Sequence, residues 1–175
     1  MVRRSVALIA LAFASAACSQ ACTKATNPEP PPPVPSTTPD APPDKPDTRP
    51  RVIFSGASGD AVAHVEVVST EPEIMKGLMY RQYLAPDDGM LFLMGAEDNW
   101  HFWMKNTLIP LDIIFITRDF TVAGILYNMQ PMDQASKHVG KQSLYVLEVN
   151  AGWAKPHGVT EGTKVRFDGV EPTDE

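Results

Sequence analysis

Cysteine is nearly absent: the 175-residue chain has two, Cys18 and Cys22, and none after them. That removes a thiol nucleophile, a CxxC redox pair and a cysteine zinc site from everything downstream, and leaves any folded domain without a disulfide. Histidine is scarce as well. His64, His101, His138 and His157 show neither H-x-x-x-H nor H-E-x-x-H spacing, which speaks against a zinc hydrolase. Phosphate-binding loops and dinucleotide fingerprints are missing, so no cofactor is implied. The segment SGASGD at 55–60 lacks the G-x-S-x-G elbow of a serine hydrolase and reads as a turn before the first long strand. No apolar run reaches the roughly 20 residues of a membrane-spanning helix. Basic residues are also in deficit, with 15 Lys and Arg against 21 Asp and Glu and a net charge of -6. With no basic patch or RNA-binding aromatic motif, no nucleic-acid partner is expected.

What is present begins with an address. MVRR is followed by SVALIALAFASAA, an uncharged stretch ending in small residues, and this has the parts of a secretory signal over residues 1–17. Ser15-Ala16-Ala17-Cys18 resembles the lipobox of bacterial lipoproteins, which makes Cys18 the lipidation site and Ser19 an outer-membrane sorting residue. The expected location is therefore the cell envelope, anchored by lipid in the outer membrane and facing the periplasm. The alternative is ordinary cleavage near Ala17 or Ala21, giving a soluble periplasmic or secreted protein. Residues 18–50 follow as an anchor and tether, since NPEPPPPVPSTTPDAPPDKPDTRP holds 11 of the 17 prolines and little that could form a core. As extended polyproline at ~3.1 Å per residue, residues 23–50 reach up to roughly 90 Å. A globular domain is expected over 51–170, with residues 171–175 as a tail.

Within that domain, VAHVEVV at 62–68 alternates as a half-buried strand does, with Ala63, Val65 and Val67 on one face and His64 and Glu66 on the other. Thr70-Glu71-Pro72-Glu73 has the T-x-x-E of a capping box, and Ile74 with Leu78 and Met75 with Met79 continue at helical spacing. MLFLM (90–94), HFWM (101–104), LDIIFI (111–116), TVAGILY (121–127), LYVLEV (144–149) and KVRF (164–167) read as short strands, with a hairpin tip at Thr117-Arg118-Asp119. The expected fold is mainly β, a compact β-barrel or β-sandwich with one short inserted helix. Strands apolar on both faces are expected to be covered on both.

Polar residues interrupt this pattern at a few places. In HFWMKNTLIPLDIIFI, Lys105, Asn106 and Thr107 break an apolar run, and Asp112 shares a strand face with Ile114 and Ile116. Glu148 takes the phase of Leu144 and Val146. Carboxylates on apolar faces must be paired, hydrogen-bonded or protonated, and Arg81 and Lys105 are the candidate cations. The candidate site is thus Arg81, Lys105, Asn106, Thr107, Asp112 and Glu148. An equally available account makes these residues a structural network, with Asn106 and Thr107 turning the chain.

The ordered set GLMYR (77–81), DDGMLFLM (87–94), FWMKNTLIPLDIIFI (102–116), VLEVNAG (146–152) and GVTEGTKVRF (158–167) resembles the bacterial and archaeal family catalogued as domain of unknown function 192. The resemblance implies a small β-rich domain, often exported, whose activity is not established. It places the family's recurrent residues at Gly77, Arg81, Gly89, Lys105, Asn106, Thr107, Asp112, Glu148 and Gly152. His101 and the polar loop 128–143 look individual to this chain, and a long loop of that kind is a candidate rim of a site.

Three readings of function follow. The first is an envelope-anchored binding or accessory module whose partner is a small ligand or an envelope polymer, with Trp100, Trp103 and Trp153 available to stack a sugar. The second is an enzyme, with Asp112 or Glu148 as general base and Lys105 or Arg81 holding an anionic substrate. The third draws on seven of the eight methionines lying between Met75 and Met132, beside His101 and His138. Thioether and imidazole donors suit Cu(I), although methionine also fills gaps in cores.

Overall fold

The computed structural model describes residues 47–56 and 59–171; the signal-like segment, Cys18, Cys22, the proline-rich stretch to Pro46 and residues 172–175 lie outside the described residues. Strands β1 (Arg51–Gly56) and β2 (Gly59–Val68) pair antiparallel, and helix α1 (Glu71–Lys76) leads into β3 (Asp88–Asp98). β4 (Leu111–Ile116), β5 (Val122–Met129), β6 (Ser143–Asn150) and β7 (Lys164–Asp168) complete one sheet in the order β5-β4-β6-β3-β2-β1-β7. All pairs are antiparallel except β2 with β3, which run parallel because the α1 segment carries the chain across between them. The sheet curls until its two edges approach, with a bridge from Thr121 to Lys164 and a Val122 N–H donating to Thr163 O at 2.9 Å. The mainly β architecture with one short helix is thus the expected one, realised as a curled half-barrel.

Both faces of the central strands are covered. One cluster, including Phe54, Ala63, Val65, Leu91, Ile114, Leu147 and Val149, draws on all seven strands and fills the inside of the curl. A second, with Leu78, Phe92, Met104, Leu111, Ile113, Phe115 and Val146, lies beneath α1 and the loops around residues 78–84 and 100–109. Consequently every residue of β4 is buried, which explains why LDIIFI is apolar in both phases.

Three local readings differ from the structure. The helix ends at Lys76 because Gly77 takes a positive φ of 47°, so Leu78 and Met79 fall in the turn beyond it. HFWM is not a strand of the sheet. Phe102 pairs with Lys137 and the Met104 N–H donates to Asp133 O at 2.7 Å, so this segment finds its partner in the polar loop 131–139. Its alternation in burial survives, with Met104 buried and His101, Trp103 and Lys105 exposed. β1 was not read from the sequence at all, since RVIF is only four residues long before its turn.

Gly89 marks the tightest approach between strands: a Cβ there would lie 2.6 Å from the backbone oxygen of Glu148 on β6. Gly89→Ala must push β3 from β6 and is expected to cost about 2–3 kcal/mol, read as a lower urea midpoint at unchanged slope.

Candidate functional site

Glu148 lies at the centre of the sheet, opposite Met90 of β3 and Ile113 of β4, and points into the cluster beneath α1. Its residue exposure is 5%, and its Oε2 is buried without a hydrogen-bond partner among the described residues. Burial pushes the carboxyl up to about 8, and the backbone N–H of Leu78 offsets this only in part. A carboxyl in that state is largely protonated at neutral pH.

Beside Glu148 is a cavity of about 30 Å³ bounded by Gly77, Leu78, Phe92 and Thr107. That is about the space of one water molecule or a group of that size. Thr107 is buried, and its hydroxyl makes only a long 3.4 Å bond to Lys105 O, so its lone pairs remain available. Ile74, Met75, Phe102 and Trp103 line this cavity and also an adjoining groove of about 350 Å³, to which Met94, Trp100, His101 and Ser136 contribute. The result is an apolar, aromatic groove beside a small polar chamber.

Asp112 has a different environment. It is fully buried opposite Val149, one position from the Ile113 and Glu148 pair, so the two carboxylates lie on opposite faces of the sheet. Its Oδ1 accepts the Asn128 N–H at 2.9 Å, and its Oδ2 accepts those of Gly152 and Ala154, each at 3.1 Å. Three backbone donors satisfy this carboxylate and tie the 151–154 loop and the end of β5 to β4.

Neither cation meets a buried carboxylate. Arg81 pairs in bidentate fashion with Glu66 on the surface, a contact worth under about 1 kcal/mol at such exposure. Lys105 is exposed, with its Nζ 5.4 Å from the centre of the Trp103 ring. Asn106, at a φ of 57°, donates from Nδ2 to Tyr80 Oη at 2.8 Å and accepts the Tyr80 N–H at 2.8 Å through its backbone oxygen. Of the six sequence-predicted residues, the structure brings only Thr107 and Glu148 to one cavity; Lys105 lies over the Trp103 ring and lines neither the cavity nor the groove. The aromatic walls, the Leu78 N–H and Gly77 were not part of that set. Trp100 and Trp103, read from the sequence as available to stack a sugar, are among the aromatic walls.

The largest cleft, about 500 Å³, lies elsewhere, between Tyr83, Asp87, Pro110, Trp153 and His157. Its buried and half-buried polar groups are paired: Trp153 Nε1 donates to Asp87 Oδ1 at 3.0 Å, His157 Nδ1 contacts Trp153 O at 2.6 Å, and Asn150 donates to the oxygens of Leu84 and Ala85. Size alone is therefore a poor guide here, and the groove with an unpartnered buried acid is the stronger site. Among the described residues no three His, Cys, Asp or Glu side chains converge as a metal cluster. Met75, Met94 and His101 do share the groove, whereas Met90 and Met104 are buried in the core, and His138 stacks on His101 at 4.3 Å.

The model of the family described as Uncharacterized ACR, domain of unknown function 192, matches residues 53–167. No curated protein matches the chain. Solved structures similar to it include two crystal structures. One is a protein of unknown function from Novosphingobium aromaticivorans, 41% identical with a TM-score of 0.64, the match covering 66% of this chain and 83% of that one. The other is a candidate transcription regulator from Sinorhizobium meliloti, 39% identical with a TM-score of 0.66, covering 69% of this chain and 95% of that one.

Proposed function

The chain belongs to the family catalogued as domain of unknown function 192, and from that premise we propose that its domain is a small-ligand binding module carried on the cell envelope. The observation that carries the binding role is Glu148: a buried acid with an unpartnered oxygen, set beside a cavity that adjoins an aromatic groove. The other buried carboxylate, Asp112, is satisfied by three backbone donors. Leaving a polar atom bare costs stability, so a bare one facing a cavity argues for an external partner. The envelope address draws on the signal-like residues 1–17, the lipobox-like approach to Cys18 and the proline-rich tether.

The enzyme reading retains Glu148 as an acid or base but loses its anion clamp, because Arg81 is committed to Glu66 and Lys105 lies over the Trp103 ring outside the cavity lining. The copper reading has Met75, Met94 and His101 in one groove. It ranks below the organic ligand because the groove's bare buried atom is a hard carboxylate oxygen, which soft Cu(I) does not select. The regulator role of the Sinorhizobium relative is not carried over, since a net charge of -6 repels nucleic-acid phosphates.

The test is a fragment screen on the full chain by amide and indole NMR. Binding fragments are expected to shift the Gly77, Leu78 and Thr107 amides together with the Trp100 and Trp103 indole signals. Trp103→Ala, which removes a wall, is expected to weaken them about tenfold. Shifts confined to the Trp153 and His157 cleft, or none at all, would contradict the reading.

A further inference from the structure

Neither buried acid among the described residues has a cation, but Asp112 is satisfied by three backbone N–H groups whereas Glu148 Oε2 has no partner. Among the described residues the ion pairs of Asp or Glu with Arg or Lys are exposed or half-buried, including Arg49 with Asp88 and Lys137 with Asp133. The strand neighbours of Glu148, Met90 and Ile113, are apolar. Besides Glu148, the charged or titratable groups lining the cavity and groove are Lys76 on α1 and His101 in the loop after β3, with Lys105 nearby over the Trp103 ring, and none forms a salt bridge with Glu148.

Glu148 and Thr107 present lone pairs to a bound cation once the Glu148 proton is displaced. The Leu78 N–H is turned to Glu148 and the Thr107 hydroxyl hydrogen to Lys105 O, which leaves Glu148 Oε2 and Thr107 Oγ1 as acceptors. A primary ammonium carries three donors and no acceptor, and its head is close to a water molecule in size, as the roughly 30 Å³ chamber requires. The rings of Phe92, Phe102 and Trp103 around it favour a cation over a neutral group. A quaternary ammonium is too bulky for this chamber, although its charge would suit the rings.

We infer that the ligand of this groove is a free primary alkylamine, its ammonium head held between Glu148 and Thr107 and its apolar chain lying against Met75, Phe102 and Trp103. The inference rests on the groove being a binding site, as proposed above. Binding follows R-NH₃⁺ plus Glu148-COOH giving the carboxylate–ammonium pair plus one proton released to the buffer. Affinity therefore increases with pH as Glu148 ionises, while an alkylamine with a pKa above 10 remains charged.

The experiment is calorimetry of the full chain with n-hexylamine, 1-hexanol, hexyltrimethylammonium and acetyl-lysine methylamide at pH 7 and pH 9, in buffers of different ionisation enthalpy. We expect n-hexylamine to bind about tenfold more tightly at pH 9 than at pH 7, with close to one proton released at pH 7. Glu148→Gln is expected to abolish both the pH dependence and the proton release, and Thr107→Val, which keeps the carboxyl, to weaken binding about tenfold with proton release intact. Binding of 1-hexanol as tightly as n-hexylamine, or of the trimethyl compound, would overturn the ammonium assignment while leaving the groove as a site. Tighter binding of the lysine compound than of n-hexylamine would overturn the free amine as source in favour of a protein side chain. Absence of binding by every probe, together with an empty fragment screen, would remove the groove reading itself.

Discussion

Asp112→Ala is expected to destabilise the domain by about 3–5 kcal/mol, as measured by urea unfolding, or to prevent folding. One side chain accepts the N–H groups of Asn128, Gly152 and Ala154. Its removal strands buried donors at ~1–3 kcal/mol each, against a total stability on the order of 5–15 kcal/mol for a domain. Asp112→Asn should fall between the two, since one carbonyl oxygen can serve some of the donors while the amide nitrogen faces others. Because Asp112 and Glu148 lie on opposite faces of the sheet, any Asp112 variant that folds should bind groove ligands as the wild type does. A folded Asp112→Asn protein without groove binding would contradict this division of roles.

Glu148→Gln is expected to become more stable, relative to wild type, as pH rises. An unfolded glutamate titrates near ~4.3, whereas the folded carboxyl is pushed up to about 8 by burial. Between those values the unfolded chain releases a proton that the native state retains. The stability that Glu148 contributes is therefore fully present below about pH 4.3 and is lost as pH rises toward 8. At 1.36 kcal/mol per pH unit, the loss across the window is on the order of 4 kcal/mol. Other carboxyls, such as Glu66 and Asp133, are held low by their cation partners and act in the opposite sense, so the difference between variant and wild type isolates Glu148. Gln itself leaves a buried amide and shifts the whole curve by a constant. Urea midpoints at pH 4.5, 6, 7 and 8 show the predicted divergence; parallel curves would mean a solvated or paired carboxyl.

Much of the fold could be read from the sequence because β4, β6 and β7 are short apolar runs bounded by turn residues, and their ends match within a residue. Asp112 and Glu148 stood out for the same reason, as charges on apolar strands. Whether they meet depends on the register of β4 against β6, and a one-residue offset between Asp112 and Ile113 puts them on opposite faces. No local pattern carries that offset. The cations were equally hidden, because Arg81 finds Glu66 through the parallel β2 and β3 crossover rather than along the chain. The groove was hidden too, since Phe102 pairs with a loop 35 residues later instead of joining the sheet. Local chemistry indicated which residues were out of place, and tertiary pairing decided what each of them met.

Glu148 is a buried acid with one oxygen, Oε2, left without an internal partner among the described residues. A ¹³C NMR titration of its side-chain carboxyl in the full chain, assigned with Glu148→Gln, tests this most directly. A single midpoint near 8 that moves down when n-hexylamine is added is the predicted result. A midpoint below about 5, unmoved by any groove ligand, would show a carboxylate already satisfied by the protein and would leave the site without its defining residue.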